Sequence, residues 1–356
     1  MIETLFDGIT RHSVTTPRLT ASVLERAGHD GGPTVVFIHG NVSSSLFWQP
    51  SMLALPDAVR GLAIDLRGFG DSETLDVDAT RGLGDFADDI ASVLAELGVP
   101  NAHFVGWSMG GGVVLQLLLE RRGLVDGITL VAPVSPFGFG GTAGADGRML
   151  SADGAGTGGG GGNPDFIARL AGHDTSDEAA SPRGVYRSTY VNSYEGLDFE
   201  DIWVEAMLTT STGVGNYPGD SVTSESWPGF AAGRRGVLNS MAPTNFNVAG
   251  IVDLPVKPPI LWVRGADDVI VSDTSLFDIN YLGQLGVIPG WPGADVAPVQ
   301  PMVAQTRAVL DAYRAAAGAY TEFVLPDCGH SPHLEHAVVF DEALAAALRG
   351  APTPTG

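Results

Sequence analysis

The chain has 356 residues, 44% of them apolar, so it can bury a substantial core as one large domain or as a domain with a sizeable insertion. Its formal net charge of −22 comes from 41 acidic against 19 basic residues. Because that charge repels phosphate backbones and anionic lipid headgroups, we expect neither nucleic acids nor membrane surfaces as partners.

The amino-terminal residues MIETLFDGITRHSV differ from a signal peptide, since they contain Glu3 and Asp7 and no long apolar run. No later segment reaches the ~18 uninterrupted apolar residues of a membrane span. Cys328 is the only cysteine and cannot form an intrachain disulfide, which is compatible with a reducing compartment. These features predict a soluble protein of the cytoplasm.

Between residues 33 and 131, short apolar runs alternate with helical patterns, as is typical of parallel strands joined by crossover helices. The predicted strands are TVVFIHG (34–40), VRGLAIDL (59–66), AHFVGW (102–107) and DGITLVA (126–132). Each is nearly continuously apolar, as expected where helices cover both faces of a sheet. The segment GDFADDIASVLAELGV (84–99) has apolar residues at helical spacing and acids near its start, and it predicts a crossover helix.

The alternation stops after Ala132 and returns at PPILWVRG (258–265). The residues between, 133–258, are called the insertion below; they include the glycine run TGGGGGN (157–163), which by default predicts a flexible loop. The insertion also carries more large apolar groups than a linker would: Phe137, Phe139, Phe166, Tyr186, Tyr190, Trp203, Met207, Tyr217 and Trp227. We therefore predict a core domain (1–132 and 259–356) and a folded cap (133–258) with loose glycine loops.

The core domain is expected to finish with further elements after the strand at 258–265. They are a second irregular insertion at 272–300, a helix at 302–317, the strand YTEFVLP (320–326) and a terminal helix at about 337–349.

The motif GWSMG (106–110) fits the pattern G-x-S-x-G, directly after a predicted strand and directly before the helical pattern GGVVLQLLLERR. A nucleophile elbow needs this context, because the serine adopts a strained conformation and the flanking glycines allow close approach of neighbouring chains. On these residues the chain resembles the α/β-hydrolase fold superfamily over about 20–132 and 258–349, as a serine esterase or lactonase with a large cap. The resemblance implies an α/β fold with a mostly parallel central sheet, flanking helices and an inserted cap.

A serine hydroxyl needs a base and an orienting acid to act as a nucleophile. RGADDVIVSD (264–273) matches the G-x-x-D-x-x-V pattern of the family at Gly265 to Val271, which implies Asp268 as the acid, with Asp267 as the alternative. DCGHSPHLEH (327–336) resembles the family's histidine turn, in which the first histidine is catalytic. The implied triad is Ser108, Asp268 and His330.

The oxyanion of the tetrahedral intermediate needs preorganised donors. The resemblance of FIHGNVSSSLFW (37–48) to the family's H-G-x turn implies the backbone amides of Met109 and Asn41, with Val42 as an alternative to Asn41. His39, Asp65, Arg67, His333, His336 and Cys328 are expected to have structural roles. Trp107 either lines the pocket or packs under the elbow; Trp107, Phe137, Trp203 and Met207 are the candidate substrate contacts.

The sequence carries no H-E-x-x-H motif, no cysteine cluster, no phosphate loop and no dinucleotide fingerprint, so we expect no metal and no cofactor. The expected activity is hydrolysis of small-molecule esters or lactones, hydrophobic and of medium size, through an acyl-enzyme. Ser108 argues against the dehalogenases and epoxide hydrolases of the superfamily, whose nucleophile is an aspartate. A carbon–carbon bond hydrolase, an amidase, a hydrolase-like ligand-binding protein with little turnover and a cofactor-free oxygenase stay open as alternatives.

Overall fold

A large mixed sheet forms the centre of the protein, in a computed structural model that describes residues 3–28 and 32–350. Its eight strands lie in the order β1-β2-β4-β3-β5-β6-β13-β14. The pairs β1–β2 and β2–β4 are antiparallel, whereas the pairs from β4 through β3, β5, β6 and β13 to β14 are parallel. The predicted mostly parallel α/β sheet is confirmed.

The strands are β1 Thr10–Thr15, β2 Thr20–Arg26, β3 Thr34–Ile38, β4 Arg60–Ile64, β5 Ala102–Trp107, β6 Val125–Val131, β7 Thr142–Ala143, β8 Arg148–Met149, β9 Thr212–Gly213, β10 Tyr217–Pro218, β11 Ser221–Thr223, β12 Phe230–Ala232, β13 Ile260–Gly265 and β14 Tyr320–Leu325. The α-helices are α1 Gln49–Leu53, α2 Gly84–Glu96, α3 Met109–Glu120, α4 Pro164–Ala171, α5 Pro182–Val185, α6 Glu200–Leu208, α7 Val237–Ser240, α8 Ile279–Gln284, α9 Met302–Ala315, α10 Pro332–Glu335 and α11 Ala337–Leu348. Short 3₁₀ turns and one π-helical turn, Tyr186–Tyr190, complete the regular structure.

The central strands are buried on both faces, which explains their continuous apolar sequence. In β3, for example, Val35, Val36, Phe37 and Ile38 have no exposed surface. Such a strand needs helices on both sides of the sheet; α3 packs on β5 and β6, and α11 packs on β6 and β13.

Two strands of the central sheet, β1 and β2, were not predicted from the sequence, and neither were the short strands β7 to β12 of the insertion. β1 and β2 form an antiparallel pair at one edge of the sheet, and β2 joins them to β4. All residues of β1 except Val14 are exposed, so its sequence lacks the apolar pattern that marked the central strands.

The insertion connects two strands that are neighbours in the central sheet. β6 ends at Val131 and β13 begins at Ile260, and the two strands pair in parallel with Ile260 opposite Ile128. Several of the insertion's large side chains are buried, among them Tyr186, Tyr190, Trp203 and Met207. The insertion is therefore folded, and its division from the core at 133 and 258 stays a prediction.

The glycine run of the insertion is an ordered, closely packed segment, so the expectation of a loose loop is wrong. Gly158–Gly161 forms a 3₁₀ turn, and the Gly159 amide donates to Asn239 Oδ1 at 2.9 Å. A Cβ at Gly159 would lie 2.5 Å from the carbonyl oxygen of Asp220. The absence of side chains here allows backbone contact between segments, which is a different use of glycine from flexibility.

Among the described helices, none combines the length and the apolar character needed to cross a bilayer.

Candidate active site

Ser108 lies on the sharp turn between β5 and α3, at φ 57° and ψ −120°. This is a strained conformation for a residue with a side chain, and it exposes the serine at the head of the helix. The glycines of the motif make the turn possible: a Cβ at Gly106 would lie 2.5 Å from the carbonyl oxygen of Gly110, and a Cβ at Gly110 would overlap the carbonyl oxygens of Ile38 and His39. The local sequence therefore builds the predicted elbow.

Backbone hydrogen bonds hold this turn against the sheet. The Ser108 amide donates to the Val131 carbonyl at the end of β6 (2.9 Å), and the Ser108 carbonyl accepts from the amides of Gly111 and Val134 (3.0 Å each). The strain at Ser108 is thus balanced by three hydrogen bonds, to β6, to α3 and to the loop after β6.

His330 and Asp268 form a buried hydrogen-bonded pair. His330 lies in the loop between β14 and α10, Asp268 follows β13, and Nδ1 of the histidine is 2.8 Å from Oδ2 of the aspartate. The amides of Ile270 and Val271 donate to Asp268 Oδ1 at 2.7 and 3.0 Å. Because these donors orient the carboxylate as an acceptor, His330 Nδ1 carries the proton and Nε2 is left to act as a base.

Asp267, the alternative acid, is exposed and takes no part in this pair. Its backbone amide donates to the Cys328 carbonyl at 2.9 Å, which turns its side chain to the surface. The geometry favours Asp268 as the partner of His330.

Trp107 connects the serine turn to the histidine loop. Its indole Nε1 donates to the backbone carbonyl of His330 at 2.8 Å, and the two ring centroids are 5.5 Å apart. Within the described residues, the hydrogen bonds of His330 do not include one from the Ser108 hydroxyl. Catalytic contacts of this kind often tighten only when substrate is bound.

The loop after β3 passes directly beside Ser108. A Cβ on Gly40 would lie 3.0 Å from the Ser108 Cβ. The Gly40 carbonyl accepts from His39 Nδ1 (2.8 Å) and from the Ser43 hydroxyl (2.9 Å), while the Leu66 amide donates to His39 Nε2 (3.0 Å). His39 Nδ1 therefore carries the proton, and burial lowers the pKa of His39, which keeps the ring neutral.

The direction of the Asn41 amide follows from these contacts. In a trans peptide the C=O and the next N–H point in opposite directions, so the Asn41 N–H points away from His39 and Ser43. The Met109 N–H begins α3, where the first amides have no helical acceptor. Within the described chain, neither amide, nor that of Val42, is assigned an acceptor. Their role as oxyanion donors stays a prediction that this arrangement supports.

The candidate substrate contacts are mostly covered by protein atoms. Trp107, Trp203 and Met207 are 1%, 2% and 0% exposed, so Trp107 packs under the elbow. Phe137 is half-buried and its ring lies against Gly147. The assignment of these residues as substrate contacts stays a prediction.

His333 is buried among aromatic rings, with centroids 4.3 Å from Trp48 and 4.8 Å from Trp107. Among the residues that the structure describes, neither of its nitrogens has a hydrogen-bond partner. Burial, and secondarily the neighbouring His330, lower the pKa of His333 to about 3. Burial also raises the pKa of the Cys328 thiol, with the Glu335 carboxylate adding to the effect. Neither side chain is suited to act as a base or a nucleophile near neutral pH.

Asp65 and Arg67 have structural contacts, as expected. Asp65 accepts from the amides of Ser45 (2.7 Å) and Asp71 (3.1 Å). Arg67 is buried and paired with Asp89 at 2.6 Å. These contacts brace the turn after β4.

Tyr190 is a residue near the site whose position the sequence did not indicate. Its hydroxyl reaches from the insertion to the carbonyls of Asn41 and Val42, both at 3.0 Å. In the sequence, Tyr190 is one of the many large apolar side chains of the insertion. No local pattern signals a contact across almost 150 residues.

A cavity of about 1050 Å³ lies away from these residues. Its lining includes Thr34, Ala102 and Pro259, at the amino ends of parallel strands. Open α/β sheets bind ligands at the carboxyl ends of their strands, where Ser108 and His330 lie. We therefore do not assign this cavity to the candidate active site.

Solved structures with the same fold include carboxylesterase CesB (YbfK) from Bacillus subtilis, with a TM-score of 0.58, 16% identity, and coverage of 97% of this chain and 93% of that one. A putative aryl esterase from Burkholderia cenocepacia gives a TM-score of 0.59 at 17% identity, covering 96% and 98% of the two chains. At these identities the similarity shows the fold alone.

A curated relative, 3-oxoadipate enol-lactonase 1 from Acinetobacter baylyi, is 33% identical over 103 residues, which is 29% of this chain and 38% of the relative. The dihydrolipoyllysine-residue acetyltransferase component of the acetoin cleaving system from Cupriavidus necator is 39% identical over 110 residues, 31% of this chain and 28% of the relative. The matches thus span well under half the length of these relatives. The family match is much longer, covering residues 35–343. The chain belongs to the alpha/beta hydrolase family.

Proposed function

We propose that this protein is a serine hydrolase that cleaves carboxylic esters or lactones of medium-sized hydrophobic substrates through an acyl-enzyme intermediate. The observation that carries the proposal is the buried His330–Asp268 hydrogen bond of 2.8 Å, with the His330 carbonyl hydrogen-bonded to Trp107, the residue before the strained Ser108. A serine, a histidine and an acid in this relation form the recurring arrangement for acyl transfer.

In the proposed reaction, the Ser108 hydroxyl attacks the substrate carbonyl while His330 Nε2 accepts its proton. His330 then donates that proton to the leaving alcohol, which breaks the ester bond and leaves the acyl group on Ser108. Water attacks the acyl-enzyme with His330 again as the base. Asp268 keeps Nδ1 protonated and stabilises the imidazolium that forms in each half-reaction.

The oxyanion in both half-reactions would accept from the amides of Met109 and Asn41. The Gly40 carbonyl, which accepts from His39 and Ser43, supports this role for Asn41, because the Asn41 N–H then points away from those two side chains. A single preorganised donor of this kind contributes about 10²- to 10³-fold to the rate.

Two relatives support an ester or a lactone as the substrate that is cleaved. One short match is named an enol-lactonase, and another short match is named a carboxylesterase. The proposed hydrophobic substrate rests on the aromatic side chains of the insertion, taken as a cap over the site. A cytoplasmic location belongs to the same proposal, because the single cysteine, Cys328, is buried and unpaired.

The test is turnover of p-nitrophenyl esters of increasing acyl length, and of a set of simple lactones, by the wild type, Ser108→Ala and His330→Ala. We expect turnover by the wild type, an optimum at intermediate acyl length, and a loss of at least about 10³-fold in either variant. Wild-type turnover that survives in Ser108→Ala would contradict the proposal.

A further inference from the structure

One hydroxyl from the insertion holds the loop that carries the proposed oxyanion donor. Tyr190 ends the π-helical turn Tyr186–Tyr190, and the single hydrogen of its hydroxyl is shared between the carbonyls of Asn41 and Val42, each at 3.0 Å. The ring is buried against Trp107, with centroids 5.7 Å apart in an edge-to-face arrangement. The insertion and the loop after β3 are thus joined beside Ser108.

The residue between these contacts is strained. Val42 has φ 47°, in the left-handed region, which a β-branched residue rarely adopts. The Asn41 carbonyl belongs to the peptide group before Val42, and the Val42 carbonyl belongs to the peptide group after it. The Tyr190 hydroxyl therefore holds both peptide groups that flank the strained residue.

The loop is clamped from two sides. On the core side, His39 and Ser43 fix the peptide group between Gly40 and Asn41 through the Gly40 carbonyl. On the insertion side, Tyr190 fixes the peptide group between Asn41 and Val42. Since both peptide planes next to Asn41 are held, its N–H has one direction, and the Val42 N–H points away from Tyr190.

We propose that Tyr190 is a positioning residue: its hydroxyl holds the loop at Asn41 and Val42 so that the Asn41 N–H is preorganised to donate a hydrogen bond to the oxyanion. This inference rests on the proposed serine hydrolase function and adds to it a residue of the insertion on which the oxyanion hole depends.

The hydroxyl is the part of Tyr190 that matters for this role. Burial raises the pKa of Tyr190, so the phenol keeps its proton and remains a donor at ordinary working pH. Without that donor, the buried Val42 carbonyl and the part-buried Asn41 carbonyl would lose the hydroxyl that they share, which favours rotation of the flanking peptides. Tyr190→Phe removes the donor and preserves the ring that packs on Trp107.

Two other buried tyrosines provide matched controls. Tyr186 is in the same π-helical turn, and its buried hydroxyl has no hydrogen-bond partner in the described part of the chain. The Tyr313 hydroxyl donates to the Pro258 carbonyl at 2.7 Å, just before the amino end of β13 and thus at the opposite end of the sheet from Ser108. Tyr186→Phe controls for the substitution itself, and Tyr313→Phe controls for loss of a buried tyrosine–carbonyl hydrogen bond.

The experiment measures kcat and KM for the best p-nitrophenyl ester, together with inhibition by phenylboronic acid, which forms a tetrahedral adduct with an active serine. For Tyr190→Phe we expect kcat and the boronic acid affinity each to fall by about 10- to 100-fold, with KM within about threefold, because the lost interaction acts on the transition state. Tyr186→Phe and Tyr313→Phe should keep kcat and the boronic acid affinity within about threefold of the wild type. Thermal unfolding of all variants confirms that each is folded at the assay temperature.

Unchanged kcat and boronic acid affinity in Tyr190→Phe would overturn the inference, as would an equal loss of kcat in Tyr313→Phe, which would show a general structural effect. Failure of the proposed function is seen separately, in the wild type: an enzyme that neither hydrolyses the esters nor binds the boronic acid would remove both proposals.

Discussion

The backbone strain at Ser108 predicts a gain in stability when the serine is replaced by glycine. At φ 57° and ψ −120°, a residue with a side chain is about 1–3 kcal/mol less stable than in an allowed conformation. Glycine adopts these angles freely, but its greater freedom in the unfolded chain costs about 0.5–1 kcal/mol. Ser108→Ala removes the hydroxyl and keeps the strain. We therefore expect Ser108→Gly to have a free energy of unfolding about 1 kcal/mol higher than that of Ser108→Ala.

The comparison is made by urea unfolding of both variants, followed by tryptophan fluorescence. Both lack the hydroxyl, so the difference between their midpoints at equal m-values isolates the backbone conformation at residue 108. Equal stability of the two variants, or a less stable Ser108→Gly, would refute the argument that the elbow is held in a strained state.

Three further predictions concern the acid, the elbow glycines and the buried histidine. Asp268→Asn should lower kcat/KM by about 10⁴-fold, because the tautomer of His330 is no longer fixed. The control Asp267→Asn, at the exposed neighbouring residue, should keep kcat/KM within about threefold of the wild type. Equal effects of the two substitutions would contradict the assignment of Asp268 as the catalytic acid. Gly110→Ala should destabilise the fold by about 1–3 kcal/mol in urea unfolding, while Gly123→Ala, where a Cβ meets open space, should change it by less than about 0.5 kcal/mol. The pKa of His333 is about 3 in the folded state, below the ordinary 6.5, so only the unfolded chain takes up a proton at this residue as the pH falls below 6.5. Between pH 7 and pH 5, the free energy of unfolding of the wild type should therefore fall by about 2 kcal/mol more than that of His333→Phe. Equal losses in the two proteins would contradict the burial argument.

The central strands and the elbow could be predicted because their sequence signals are local. β3 is apolar throughout since both of its faces are buried, and Gly106 and Gly110 flank Ser108 at the positions where backbone approaches backbone. Asp268 could be placed only with Asp267 as an alternative, because the choice depends on which carboxylate faces His330 after folding.

The features that the sequence did not predict depend on distant contacts. The glycine run at 158–161 packs on Asp220 and Asn239, which no property of the run itself indicates. The Tyr190 hydroxyl meets its acceptors through the packing of the insertion on the core. The edge strand β1 is mostly exposed, so its pairing with β2 leaves little apolar signal.

Covalent labelling of Ser108 tests the central claim most directly. We would incubate the purified protein with a fluorophosphonate and locate the adduct by peptide mass spectrometry, with Ser108→Ala and His330→Ala alongside. The proposed mechanism predicts a single adduct on Ser108 in the wild type, none in Ser108→Ala and much slower labelling in His330→Ala. A wild-type protein that hydrolyses esters but remains unlabelled at Ser108, or is labelled at another residue, would contradict it.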